Sequence, residues 1–292
     1  MTATSKIPTA DAPSLAHDSD ELAADYEKLS APQQFESGKR LAADLGIGAG
    51  ERVLDVGCGT GLLAEHIAGL VGPPGSNGGH VLGIDPLPLR IEVAQVKARA
   101  NLAFEVGDAN DLGALPEASF DVVILNAVFH WLSDKPRALG QFARVLREGG
   151  RIGMNTRPPN ASGGARFPMY EAMAQAMAEP PFDRYPRPPA RGVYQVEPEE
   201  MRALLEAAGF TPTRIEVRPS VQVHATPEAA VRFSEASSFG NLLGHLPLEL
   251  RPAARAAMAD KLAALMTPQG IVQQGRRLVA MAVRRSGSPH AR

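Results

Sequence analysis

A chain of 292 residues with 44% hydrophobic content can bury one substantial α/β core plus an insertion, or two small domains. Its 30 Lys and Arg side chains nearly balance 32 Asp and Glu, for a net charge of −2 without long runs of either sign. That argues against a nucleic-acid groove or an anionic membrane surface and favours a small-molecule partner. The single cysteine, Cys58, excludes an internal disulfide and a cysteine-rich metal site, so no metal is expected and a reducing, cytoplasmic setting is the default.

Residues 1–19 hold Pro8, Pro13 and several Ser and Thr without a sustained apolar run; they read as a disordered leader, neither signal peptide nor membrane span. Leu22, Tyr26 and Leu29 space out a short amphipathic helix, and a second runs from about Pro32 through Phe35 and Leu41 to Gly46. Short apolar runs closed by turn residues then predict strands at Arg52 to Val56, Val81 to Ile84, Ala103 to Val106, Phe120 to Leu125 and Arg151 to Asn155. Helices are predicted between them at Leu62 to Leu70, Pro88 to Ala100 and Lys135 to Leu146, the last closed by Gly149-Gly150. This alternation predicts an α/β fold, a doubly wound Rossmann-like sheet that is mostly parallel.

The texture changes after Asn155. Residues 157–196 are proline-rich, with one helical island, Ala165 to Ala178, on which Phe167, Tyr170, Met173 and Met177 can share a face. They read as a lid insertion over a core of residues 20–156. Residues 197–285 return to the core sheet with a helix from Pro198, a strand from Arg214 to Val223 and a final, antiparallel strand from Leu278 to Val283. Two helices at 227–266 form a second lid insertion, and 286–292 should fray.

The chemistry concentrates in Val53-Leu54-Asp55-Val56-Gly57-Cys58-Gly59-Thr60-Gly61, which reads as strand, tight turn and helix start. Glycines there permit positive φ and bring backbone amides close to a ligand. The dinucleotide fingerprint asks for Gly-x-Gly-x-x-Gly, whereas Gly57, Gly59 and Gly61 alternate and Leu62 takes the place of the third glycine. A NAD-dependent oxidoreductase therefore fails on spacing. Asp55 would repel a pyrophosphate but can help position an ammonium group, so the ligand carries a cationic end.

Val53 to Gly61 resembles the first motif of the class I S-adenosylmethionine-dependent methyltransferases, and later motifs follow in order across residues 34–156. The resemblance implies S-adenosyl-L-methionine as cofactor and S-adenosyl-L-homocysteine as product. It implies that Asp85, followed by Pro86, takes both ribose hydroxyls, that Asp108 accepts from the adenine amino group while Ala109 meets the ring, and that Asn126 holds the amino-acid end. Gln34 and Phe35 are expected to close over the cofactor, beside Cys58. Ala127 to Asp134 resembles the His-Trp variant of small-molecule methyltransferases of the trans-aconitate and biotin- or quinone-pathway types.

His130 follows a buried strand at its carboxyl end, where it could polarise an acceptor, take its proton, or simply bond a loop carbonyl. Trp131 reads as a packing anchor beneath the adenosine or the following helix. Tyr26, Phe167, Tyr170 and Phe239 are the candidate lid contacts to substrate. The expected function is methyl transfer to a small-molecule acceptor; the competing reading is an inactive cofactor-binding regulatory or partner protein. Arsenite methylation is disfavoured by the lone thiol. Base methylation is disfavoured by charge and by Asn126-Ala127-Val128-Phe129, which lacks the Asn-Pro-Pro-Tyr type of motif.

Overall fold

A computed structural model describes residues 14–73, 78–159, 168–185 and 194–287. Residues 1–13 of the expected leader, 160–167 (Phe167 among them) and 186–193 of the proline-rich stretch, and 288–292 of the expected fraying tail lie outside the described residues. The core alternates β1 (Arg52–Val56), α3 (Leu62–Val71), β2 (His80–Asp85), α4 (Pro88–Gln95), β3 (Leu102–Val106), β4 (Phe120–Asn126), α5 (Lys135–Val145) and β5 (Leu146–Thr156). With β6 (Phe210–His224) and β7 (Ile271–Arg284), these make one sheet of order β3-β2-β1-β4-β5-β7-β6. β1 to β5 are parallel, and β7 lies antiparallel between β5 and β6. The predicted fold class holds.

Strand periodicity explains the two cores. Leu54 and Val56 of β1, with Val123 and Leu125 of β4, point to α5 and to α7 (Pro198–Ala207), where Leu139, Phe142, Met201 and Leu205 are buried. Val53, Val122 and Ile124 point the other way, onto Leu41 and Leu45 of α2 (Ala31–Asp44) and Leu63 and Ile67 of α3. Because β1 is flanked by β2 on one side and β4 on the other, the strand order reverses between β1 and β4 and opens a crevice at their carboxyl ends.

Several boundaries differ from expectation for local reasons. α4 stops at Gln95 rather than Ala100, because the Arg99–Leu102 bridge already turns the chain into β3 and Asn101 donates its side-chain amide to Ala68 O at 2.8 Å. β5 begins at Leu146, which pairs with Phe120 before Gly149-Gly150. The first two helices, α1 (Asp20–Asp25) and α2, are not separate: a π-turn over Tyr26–Ser30 joins them. Pro32 has no N–H, and its ring excludes the carbonyl four residues back, so the ladder widens there.

Residues 14–19, expected to belong to the leader, are held in place. Ser14 exchanges bonds of 2.9 Å with the Asn241 side chain, and Asp18 meets Arg90 at 3.4 Å. The two segments expected as lid insertions pack together: α6 (Pro168–Met177), α8 (Pro227–Ser237) and α9 (Arg251–Ala263) share a core that includes Met173, Val231, Met258 and Leu262. The buried face of α6 is Met169, Ala172, Met173 and Ala176 rather than the predicted Tyr170–Met173–Met177 set, since the shared core takes the i, i+3, i+4, i+7 stripe counted from Met169.

α2 reaches the crevice because Gly38 leaves room for it. A Cβ there would lie 2.8 Å from Leu63 and 3.0 Å from the Asn126 amide. Gly38→Val should lift α2 from the strand ends and cost about 1–3 kcal/mol, measured as a lower urea midpoint with an unchanged m-value.

Candidate active site

The glycine loop is built with no spare volume. Gly57, Gly59 and Gly61 have φ of 70°, 56° and 85°. A Cβ on Gly57 would stand 2.3 Å from Val128, one on Gly59 2.8 Å from the Tyr26 ring, and one on Gly61 2.6 Å from Phe104. The alternate glycines thus admit three packing neighbours as well as a ligand. The loop is also tied to β2: Gly57 and Cys58 donate to Ile84 O at 2.7 and 3.0 Å, and Gly59 N donates to Asp85 Oδ2 at 2.9 Å.

A narrow cleft, partly open to solvent, runs beside this loop. Of the expected site residues, Tyr26, Gln34, Phe35, Asp55, Gly57, Cys58 and Asn126 line it together. Ala31, Leu62 and Leu63 also line it and were not anticipated. Leu62 and Leu63 directly follow the glycines, and Ala31 lies one helical turn before Gln34 and Phe35, which is the signal that could have found them.

Tyr26, expected on the substrate side, covers the glycine loop instead. It donates its hydroxyl to Gln34 Oε1 at 2.9 Å, and the Arg90 guanidinium lies 4.0 Å from its ring centre. Burial pushes its phenol well above the usual range, so it stays a hydrogen-bond donor. Phe35 meets His66 edge-on at 5.6 Å.

The carboxylates respond to burial. Asp55 is 1% exposed, its Oδ2 has no hydrogen-bond partner, and burial followed by repulsion from Asp85 pushes its pKa up to about 7. Asp85 is likewise raised by burial, against the pull of Arg90; each of its oxygens accepts one backbone N–H, from Gly59 and Leu87, which leaves lone pairs for a further donor. Thr60 Oγ1 is also buried without a partner. Asp108 is exposed and accepts from Asn110 N at 2.9 Å; Ala109 is buried and Pro86 exposed, and none of these three lines the cleft.

His130 lies one strand end away from the cleft lining. It is buried, its Nδ1 is 2.9 Å from Thr156 Oγ1, and its carbonyl accepts from Tyr194 N at 2.7 Å. Burial, then the charges of Arg157, Lys135 and Arg277, hold it neutral well below its ordinary pKa. Its ring neighbours Trp131, which meets Phe239 at 4.9 Å; Tyr170 lies on α6 against Arg157. A polar network unforeseen from the sequence joins these places: Ser37 donates to Gln34 O at 2.7 Å, Asn126 donates to the same carbonyl at 3.1 Å, and Arg277 reaches both Ser37 and Asn155. These contacts link residues up to 240 positions apart, so no local pattern announces them.

The raised Asp55 pKa has a defined effect on stability. Between its ordinary 3.8 and about 7 the folded chain keeps a proton that the unfolded chain releases, so stability falls as pH rises through that window and the loss is complete above it. Urea unfolding of the ligand-free protein should give a lower midpoint at about pH 8 than at about pH 5. Asp55→Asn should flatten the profile, leaving the contribution of Asp85, which runs in the same direction.

The model of a methyltransferase domain matches residues 54–154, the stretch from β1 to β5. The 27-O-demethylrifamycin SV methyltransferase of Amycolatopsis mediterranei is 32% identical over 223 residues, 70% of this chain and 74% of that one. An uncharacterized methyltransferase of Mycobacterium tuberculosis is 36% identical over 111 residues, a match that spans 37% of this chain and 42% of that relative's length. Two solved structures share the fold: a putative methyltransferase of Bacillus halodurans (15% identity, TM-score 0.56, 86% of this chain and 100% of that one) and phosphoethanolamine N-methyltransferase 2 of Haemonchus contortus with S-adenosylhomocysteine (18%, 0.58, 92% and 58%). With its alternate-glycine loop, buried strand-end acids and reversed sheet order, the chain belongs to the class I S-adenosylmethionine-dependent methyltransferases.

Proposed function

We propose that the protein transfers a methyl group from S-adenosylmethionine to a small-molecule acceptor by in-line displacement. The observation that carries this is the buried, unpartnered Asp55 oxygen in a cleft roofed by Gln34 and Phe35 and floored by the glycine loop. A buried carboxyl without a partner is costly, and a cationic ligand end removes that cost. The neighbourhood suits the cofactor elsewhere too. Asp85 keeps lone pairs for ribose hydroxyls, Asp108 and Ala109 follow β3 at the adenine end, and Asn126 closes the methionyl end.

When bound, S-adenosylmethionine supplies an activated methyl on a cationic sulfur. The residues of the chain then have alignment and exclusion of water as their main tasks. Tyr26, Gln34 and Phe35 close the cofactor side; His130, Trp131, Tyr170 and Phe239 belong to the acceptor side. Neutral His130, oriented by Thr156, accepts a hydrogen bond or proton from the acceptor more readily than it donates charge. The likeness to a rifamycin methyltransferase supports a small-molecule acceptor, and a cytoplasmic setting suits the cofactor and the lone thiol.

Calorimetry with S-adenosylmethionine and S-adenosylhomocysteine tests the reading. Wild type should bind both, and Asp85→Ala should lose about tenfold or more, the worth of roughly one charged hydrogen bond. Affinity should rise as pH increases through about 7, because Asp55 must release its proton to face the ligand's cation. Absence of binding to wild type would overturn the proposal. Binding without turnover of labelled cofactor across a broad acceptor panel would instead establish the inactive binding protein.

A further inference from the structure

Several arginines of this chain end on carboxylates. Arg90 meets Asp18, Arg151 meets Glu51, Arg232 meets Asp25 and Arg255 meets Glu235. Arg277 on β7 does not. Its Nη1 donates to Ser37 Oγ at 2.7 Å and to Asn155 Oδ1 at 3.0 Å, both neutral acceptors. The β5–β7 register, which pairs Thr156 with Leu278, places Arg157 opposite Arg277 on the same face of the sheet. Arg157 rests 5.8 Å from the Tyr170 ring centre and 3.4 Å from its hydroxyl. Among the described residues, neither guanidinium has an ion-pair partner.

This is not for want of an acid on the facing helix. Two turns along α2 from Ser37, Asp44 reaches Arg214 and Arg218 of β6 at 3.1 Å each, and Arg218 is the register partner of Arg277. Opposite Arg277 itself, α2 places Ser37 and, three residues on, the cation Arg40. Gathering partly buried like charges without a counter-ion is unfavourable unless an anion joins them. The place is also specific. Ser37 lies 3.3 Å from Asn126 Oδ1, and Asn126 lines the cofactor cleft. The same two guanidiniums, with Lys135, act on His130, so their field reaches the acceptor side from β7.

We propose that the methyl acceptor is an anion, and that Arg277 and Arg157 take its carboxylate or phosphate oxygens beside Asn126 and Ser37. The inference rests on the methyltransferase reading and names its substrate class. Guanidiniums match such oxyanions with paired N–H donors, and the Arg277 Nε and Nη2 groups have no hydrogen-bond partner within the described residues.

The test uses the full chain saturated with S-adenosylhomocysteine, titrated at constant ionic strength with succinate, inorganic phosphate or neutral succinamide. At least one of the two anions should bind wild type about tenfold tighter than succinamide, and which one does so separates a carboxylate from a phosphate acceptor. Arg277→Gln and Arg157→Gln should each weaken that anion about tenfold while leaving S-adenosylhomocysteine affinity within about threefold. Arg157→Gln decides alone if Arg277→Gln does not fold. Equal anion binding by wild type and variants, no preference for either anion over succinamide, or loss of S-adenosylhomocysteine affinity in the variants would overturn the inference. In the last case the arginines serve the cofactor instead. Failure of wild type to bind S-adenosylhomocysteine would overturn the methyltransferase reading beneath it, which is a separate result.

Discussion

The loop between β1 and α3 governs the rest of the molecule, because it must turn within space already taken on three sides. Val128, the Tyr26 ring and Phe104 stand where side chains on Gly57, Gly59 and Gly61 would be. The hydrogen bonds from Gly57, Cys58 and Gly59 to Ile84 and Asp85 then lock the turn to β2. Asp55, at the end of β1 before that turn, lines the cleft and keeps its Oδ2 buried without a hydrogen-bond partner.

Closure over the cleft depends on long-range ion pairs rather than on local helix stability. α1 is short, and a π-turn interrupts it before α2; such a segment has little intrinsic helicity. It is held instead by Asp18 on Arg90, Glu27 on Lys97 at 2.9 Å and Asp25 on Arg232. Arg90 is central, since it also donates to Ala236 O at 2.7 Å and lies over Tyr26. One buried guanidinium thereby joins the nucleotide-side helix α4, the N-terminal segment and the α8 end of the cap. The surroundings compensate this charge fully, which sets it apart from Arg277.

The surroundings of His130 are made from parts distant in sequence. β7 enters antiparallel and brings Arg277 to the end of β5, while α6, α8 and α9 bury a core of their own that reaches the sheet at Ile271. Cap and sheet meet through few aromatic contacts, among them Trp131 with Phe239.

Much of this was legible in the sequence. The alternation of apolar runs with helical stripes determined the sheet and its parallel core, because a strand buried on both faces has to be almost wholly apolar, as Val122 to Leu125 of β4 are. The alternate glycines, Asp55 and Asn126 could be placed because motif spacing maps onto strand ends, whereas Gln34 and Phe35, on α2, were expected from the resemblance; the structure brings Gly57, Asp55, Asn126, Gln34 and Phe35 to one cleft. Periodicity could not place Ser37, Asn155 and Arg277, which are ordinary polar residues until β7 and α2 bring them together. Nor could it place Tyr26, which moved from the substrate side to the glycine loop, or the Asp18–Arg90 pair that orders residues 14–19. Sequence by itself determined the element types, the cofactor loop and the family, because these depend on local backbone geometry and short-range spacing. Only the tertiary structure decided which charges are compensated, since that depends on what stands across the space from each side chain.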